Sequence, residues 1–112
     1  MSTALARNTD PDTSHEAART VRRRLCEQVR AGVVRLLEKY GPMTDEDIAE
    51  WWTDPGFADV FPVVSSSGLR TRRAELVTEG RVVETGERRR LTSGRRAIVW
   101  GIAAQGEAEA AA

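Results

Sequence analysis

The chain has 112 residues, of which 40% are apolar and 30% are charged. One small domain is expected, because this composition is typical of soluble globular proteins. Cys26 is the only cysteine and His15 the only histidine, which excludes an internal disulfide and a structural zinc site with its roughly four ligands. No apolar run approaches the roughly 20 residues of a membrane helix, and a secretory signal is not evident. The expectation is a cytoplasmic protein with no metal and no cofactor.

The 17 basic and 17 acidic residues balance in number but are separated along the chain. Six acids and no basic residue lie between Gly41 and Val60. Nine arginines and four glutamates lie between Val64 and Gly101, an excess of five positive charges. Arginine binds phosphate through a forked pair of donors. Coding bias in a GC-rich genome explains the same arginine content, and composition alone does not separate the two explanations.

The N-terminal part of the chain predicts an arm followed by a long helix. Residues 1–12 are polar and are predicted to be flexible. The motif Thr13-Ser14-His15-Glu16 is typical of a capping box and predicts the start of a helix. Apolar residues at three- and four-residue spacing continue that helix to Tyr40. Because this length is large for a small domain, we expect a break near residues 22–24 or a kink near Gly32.

A second capping box, Thr44-Asp45-Glu46-Asp47, predicts a helix that ends at about Trp52. Its acids lie in the first turn, where the helix dipole favours negative charge. Residues 53–64 are predicted to be irregular, with their apolar side chains packed back on the core. These side chains belong to Phe57, Val60 and Phe61.

A third helix is predicted over residues 69–79, between a run of serines and a glycine. Beyond it, β-branched runs at 81–85 and 97–102 predict two strands. They flank an arginine-rich segment with a tight turn at 92–95, which predicts a hairpin that packs on the helices. Residues 103–112 are rich in alanine and glutamate and are predicted to be a disordered tail.

Three segments resemble winged helix-turn-helix domains: MTDEDIAEWW, SSSGLRTRRAELVTEGRVVETG and RRLTSGRRAIVWGI. They are similar to the second helix, the recognition helix and the wing of that family. The segments DPDTSHEAA, RTRRAELV and TSGR resemble small DNA-binding proteins of actinobacterial phages and prophages. The resemblance implies an α+β, mostly helical domain over residues 13–102, with three helices and a C-terminal two-stranded β-hairpin wing. Residues 53–64 are a departure, because the family usually joins its second and third helices tightly.

The third helix carries short residues and arginines on the face opposite its apolar residues, as a helix that enters the major groove requires. Arg70 and Thr71 are the best candidates to contact bases, since arginine forms two hydrogen bonds with guanine. Arg73 lies beside the core face, so its guanidinium is expected to reach a phosphate. Arg72 and Glu75 are spaced to form an ion pair. The other predicted DNA contacts are Ala74 on this helix and Ser66 and Ser67 in the serine run that precedes it.

The predicted hairpin carries five arginines within residues 86–96, and their like charges repel one another. A phosphate backbone or a narrow minor groove would relieve this repulsion, which favours a DNA-binding wing. The alternative is a solvated loop that keeps the protein soluble. The five arginines are Arg88, Arg89, Arg90, Arg95 and Arg96.

The predicted partner is double-stranded DNA, and the resemblance implies a transcriptional regulator of phage or prophage type. An enzyme is not expected, because His15 and Cys26 are too far apart on one helix to form a nucleophilic pair. The alternative function is a protein-interaction adaptor that uses the surface of Trp51 and residues 57–61. A homodimer formed through the first helix stays open, and no membrane contact is expected.

Overall fold

The computed structural model describes residues 2–103, with side chains for residues 15–103. The helices in this part of the chain are α1 (Ser2–Tyr40), α2 (Asp45–Trp52), α3 (Pro55–Ala58) and α4 (Ser66–Thr78). Strands β1 (Val82–Arg90) and β2 (Arg96–Ile102) follow and pair antiparallel. The fold is therefore α+β and mostly helical with a C-terminal hairpin, as predicted. Of the predicted tail, residues 104–112 lie outside the described residues.

Helix α1 differs from its prediction at the N-terminal end. It begins at Ser2 instead of the capping-box motif near Ser14, so the backbone of the predicted arm is helical. Alanine and leucine near its start are strong helix formers, and a capping-box sequence is compatible with a helix interior. The helix also continues through residues 22–24, where a break was expected, because arginine and leucine favour helix there. Residues 15–25 are all exposed, so this part of α1 lies beyond the packed core.

Gly32 serves close packing within the continuous helix α1. A Cβ atom at this position would lie 2.5 Å from Cη2 of Trp52 and 3.1 Å from Cδ1 of Phe61. Only glycine leaves room for these two rings against the helix. Helix α1 is therefore continuous at Gly32, where a kink was expected. The glycine instead allows close contact with Trp52 at the end of α2 and with Phe61.

The core lies between the C-terminal half of α1, helices α2 and α4, and the base of the hairpin. Val33, Leu36, Ile48, Leu76 and Val82 are at most 1% exposed. In α1, α2 and α4 the buried residues lie on one face of the helix, as the sequence pattern predicts. Trp52 and Trp100 belong to the same cluster and are likewise buried.

Capping interactions fix where α2 and α4 begin. The Thr44 hydroxyl accepts a hydrogen bond from the Asp47 N–H at 3.1 Å, and Asp47 Oδ2 accepts from the Thr44 N–H at 3.2 Å. This confirms the predicted capping box. The Ser65 hydroxyl accepts from the Gly68 N–H at 3.1 Å, so α4 begins at Ser66 and not at Leu69.

Segment 53–64 contains the short helix α3, which begins at Pro55. The rings of Phe57 and Phe61 stack with centroids 4.5 Å apart, and both pack against Trp52. The prediction was wrong for Val60, which is 68% exposed. Phe57 and Phe61 are four residues apart and lie on one side of a helical turn, where both meet Trp52. Val60 lies beyond the end of α3, and its side chain remains in solvent.

The hairpin is irregular near its middle. Glu84 pairs with Trp100, and the next paired position is Arg88 with Ile98, so β1 advances four residues where β2 advances two. Gly86 lies within this bulge and has a φ of +90°, a conformation that favours glycine. Beyond the bulge the strands close in a turn whose Gly94 N–H donates to the Leu91 carbonyl at 2.9 Å.

Replacing Gly32 with alanine is expected to lower the free energy of unfolding by about 1–3 kcal/mol, because the new methyl group overpacks the Trp52 and Phe61 rings. The result has the opposite sign to an ordinary Gly→Ala change inside a helix, which stabilises by about 0.5–1 kcal/mol. Urea denaturation measures the difference. Gln28→Ala on the exposed face of α1 is the control, and a stabilised Gly32→Ala variant would contradict the packing argument.

Candidate nucleic-acid interface

Helix α4 presents the face that the sequence predicted. Ser67, Arg70, Thr71 and Ala74 are all exposed, while Leu69 and Leu76 on the other side are at most 3% exposed. The exposed set recurs at three- and four-residue spacing, so it forms one continuous strip along the helix. This strip has short side chains along most of its length and Arg70 near its N-terminal end.

A groove of about 520 Å³ lies between α2, α4 and the hairpin. We call it the α4–hairpin groove. Arg70 lines it from the helix, and Arg96 lines it from the first residue of β2. The fold therefore brings one predicted base-contacting residue and one predicted wing residue to the same concave surface. The remaining lining residues are Asp45, Glu46, Ala49, Ser66, Arg73, Leu91, Ala97, Ile98 and Trp100.

The guanidinium of Arg73 is bound inside the protein and does not point to solvent as predicted. Its Nε and Nη2 atoms donate to the two carboxylate oxygens of Asp45 at 2.9 and 2.7 Å. The group also lies 4.0 Å from the centroid of the Trp100 ring, a cation–π contact. The Arg73 side chain is only 15% exposed. Its acidic partner lies on a different helix, so spacing along the chain could not reveal the pair.

The other first-turn acids of α2 bind the hairpin. Asp47 Oδ2 accepts from Nη1 of Arg89 at 2.8 Å. Glu46 Oε1 accepts from the Thr92 hydroxyl at 2.8 Å. The acidic and basic segments of the sequence are thus in contact, and α2 fixes the position of the hairpin tip. Thr92 thus helps to hold the hairpin tip against α2, a role that its place in a predicted turn did not indicate.

Local pairing also neutralises Arg88, whose Nη2 lies 3.3 Å from Oε1 of Glu84. The five predicted wing arginines are therefore not equivalent. Within residues 15–103, four exposed arginines near the groove and the hairpin tip form no ion pair with a carboxylate. They are Arg70, Arg90, Arg95 and Arg96.

Arg90 and Arg96 lie directly opposite each other in the hairpin register. Like charges at directly opposed positions destabilise a strand pair. With no carboxylate paired to either residue in the described part of the chain, water and bound anions are the available sources of relief. The last paired position of the hairpin is therefore suited to bind an anion.

Ion pairs also attach α4 to α1. Arg72 pairs with Glu75 at 3.0 Å, which confirms the expected pair, and its guanidinium contacts the thiol of Cys26. Arg30 of α1 binds Glu79 and lies 3.8 Å from Glu75. These contacts lie on the side of α4 that faces α1, so they hold the helix while its outer strip stays exposed.

Residues 15–103 contain no cluster of three or more His, Cys, Asp or Glu side chains that could hold a metal ion. None of the helices described has an apolar stretch long enough to cross a bilayer.

Arg73→Ala is expected to lower the free energy of unfolding by about 2–3 kcal/mol, because it removes two charge-assisted hydrogen bonds and leaves Asp45 without its partner. Arg73→Lys should recover only part of the loss, since lysine cannot form the bidentate pair. Chemical denaturation measures both variants. Arg95→Ala, at an exposed and unpaired arginine, serves as the control with an expected change within about 0.5 kcal/mol. Equal effects at the two positions would contradict the structural role of Arg73.

Comparison with known proteins identifies no relative: the chain matches no protein-family model, no curated protein and no solved structure.

Proposed function

We propose that the protein is a double-stranded DNA-binding regulator with a winged helix-turn-helix arrangement. In this proposal α4 enters the major groove, and the hairpin contacts the phosphate backbone or the adjacent minor groove. The observation that carries the proposal is that Arg70 of α4 and Arg96 of β2 line one groove. A helix and a wing that act on the same duplex require this convergence.

The order of elements supports this assignment. Helices α1, α2 and α4 precede a two-stranded hairpin, which is the order of the family that the sequence resembles. The short helix α3 lies between α2 and α4, so the connection is longer than the family usually has. Trp52 holds this connection through its indole N–H, which donates to the Pro62 carbonyl at 2.9 Å.

The chemistry of the α4 strip supports binding in the major groove. Arg70 is long enough to reach a base edge and can donate two hydrogen bonds to guanine O6 and N7. Ala74, one turn further along, has a short side chain that permits close approach of the helix. The hydroxyls of Ser66 and Ser67 lie at the leading end, where they can donate to phosphate oxygens.

The hairpin supports contact with the backbone. Arg90, Arg95 and Arg96 are exposed and, among the described residues, free of carboxylate partners. Phosphates of a duplex supply the anions that would offset the repulsion between Arg90 and Arg96. Arg88 and Arg89 already have acidic partners, so we assign them a smaller share of the DNA contact. The proposed role is binding and regulation of transcription, of the phage or prophage type that the sequence resembles, without catalysis.

If the four unpaired arginines each neutralise one phosphate, log K for duplex binding should fall with log salt at a slope of about −3 to −4. Anisotropy titrations of a labelled random-sequence duplex at several salt concentrations measure the slope. The matched control is Arg35→Ala, an exposed arginine of α1, which should leave the slope unchanged. Absence of binding to any duplex at low salt would overturn the proposal.

Substitutions at the groove should separate base contact from phosphate contact. Arg70→Ala is expected to relax preference at one base pair by about 1–3 kcal/mol, and Arg96→Ala to weaken binding to all sequences and reduce the salt slope by about one. Selection of bound duplexes from a random pool, followed by titration of the selected sequence and a scrambled one, measures both effects. An Arg70→Ala variant with unchanged sequence preference would exclude base contact by this residue.

A further inference from the structure

A second groove, of about 880 Å³, lies on the other side of α2 from the α4–hairpin groove. We call it the Tyr40–Trp51 groove. Helix α2 separates the two: Asp45, Glu46 and Ala49 line the first, whereas Asp47, Glu50 and Trp51 line the second. The other residues that line the second groove are Tyr40, Pro42, Met43, Thr53, Asp54, Pro55 and Arg89.

The groove has an aromatic surface that the core does not cover. The rings of Tyr40 and Trp51 stack with centroids 4.1 Å apart and planes inclined by 18°. Tyr40 is 49% exposed, and Trp51 is half-buried. A stacked pair of this kind presents π faces and edges to whatever occupies the groove.

Carboxylates surround this aromatic pair. Asp47, Glu50 and Asp54 recur at three- and four-residue spacing along α2 and the turn after it, on the same face as Trp51. The basic residue of the lining is Arg89, and its guanidinium is bound to Asp47. Within residues 15–103, Glu50 and Asp54 form no ion pair. The groove therefore carries a net negative charge, because its three carboxylates outnumber its one arginine.

Lys39 shows that a cation can bind against the aromatic pair. Its Nζ atom lies 5.4 Å from the centroid of the Tyr40 ring, within the range of a cation–π contact. Lys39 and Arg35 line a neighbouring pocket and not the Tyr40–Trp51 groove, although Trp51 and Asp54 line both. On the groove side the basic lining residue is Arg89, which is bound to Asp47, so this side of the aromatic pair is open to a cation from another molecule.

We infer that the Tyr40–Trp51 groove docks an extended, arginine-bearing segment of a partner protein. An arginine side chain can lie over the Trp51 ring while its guanidinium donates to Glu50 or Asp54, so the aromatic and acidic parts of the groove recognise one ligand group. A nucleic acid is repelled by the same carboxylates. The inference does not depend on DNA binding; if both hold, α2 separates a DNA-binding surface from a protein-binding surface.

The test uses the full chain and a fluorescein-labelled peptide, Gly-Arg-Gly-Arg-Gly-Arg-Gly, in anisotropy titrations at low salt without DNA. The Glu50→Gln/Asp54→Asn double variant should bind the peptide about tenfold more weakly, because two exposed ion pairs of up to about 1 kcal/mol each are lost. Trp51→Ala should weaken binding about two- to fivefold through loss of the cation–π contact.

The matched control is Glu16→Gln/Glu27→Gln, which makes the same change in net charge at two exposed carboxylates of α1. It should change peptide affinity by less than about twofold. An equal loss in the two double variants would overturn the inference, because binding would then follow net charge alone. The Glu50/Asp54 substitutions lie outside the core, so this comparison stands even if Trp51→Ala unfolds.

Two further measurements separate this inference from the proposed function. Arg70→Ala should bind the peptide as the unaltered protein does, whatever its effect on DNA. In titrations of a labelled duplex without peptide, the Glu50→Gln/Asp54→Asn variant should bind the duplex no more weakly than the unaltered protein does. Weaker duplex binding by this variant would mean that the groove binds nucleic acid, and the inference would fail.

Discussion

The ion pair between Asp45 and Arg73 is the interaction on which the arrangement of the fold depends. It joins the first turn of α2 to the middle of α4, and the Arg73 guanidinium also covers the Trp100 ring of β2. Three elements distant in sequence therefore meet at one guanidinium. Two backbone hydrogen bonds between Met43 and Trp100, of 2.9 and 2.8 Å, attach the residues before α2 to the same strand. These contacts connect α2, α4 and the hairpin, which are the elements that form the α4–hairpin groove.

The acids of α2 divide the arginines into two groups with different roles. Arg73 and Arg89 bind Asp45 and Asp47 and serve the fold, whereas Arg70 and Arg96 stay exposed at the groove. The positive net charge of the second half of the chain is therefore larger than the charge accessible to a ligand, because Arg73 and Arg89 are paired with acids of α2. The charge separation along the sequence therefore contributes to the assembly of the fold, because acids of α2 bind arginines of α4 and the hairpin.

Local signals in the sequence were sufficient for the elements whose ends are fixed by nearby residues. The Thr44 capping box and the strand-like run before Ile102 predicted α2 and β2 within a residue or two. The partners of Arg73 and the packing role of Gly32 were not predictable, because each depends on a residue at least twenty positions away that the fold alone brings close. The exposed strip of α4 was predictable from helical periodicity, but which wing arginines stay unpaired was not.

The bulge between Glu84 and Arg88 has a geometric consequence for the hairpin. An irregularity of this kind increases the local right-handed twist, so the tip is rotated relative to the base that packs on the core. Side chains alternate between the two faces of a strand, so the number of residues in 85–87 determines which faces of the sheet Arg88, Arg89 and Arg90 occupy relative to the buried Val82. The length of this short irregular stretch thus sets the direction in which the tip presents its guanidinium groups, while the core beneath remains the same.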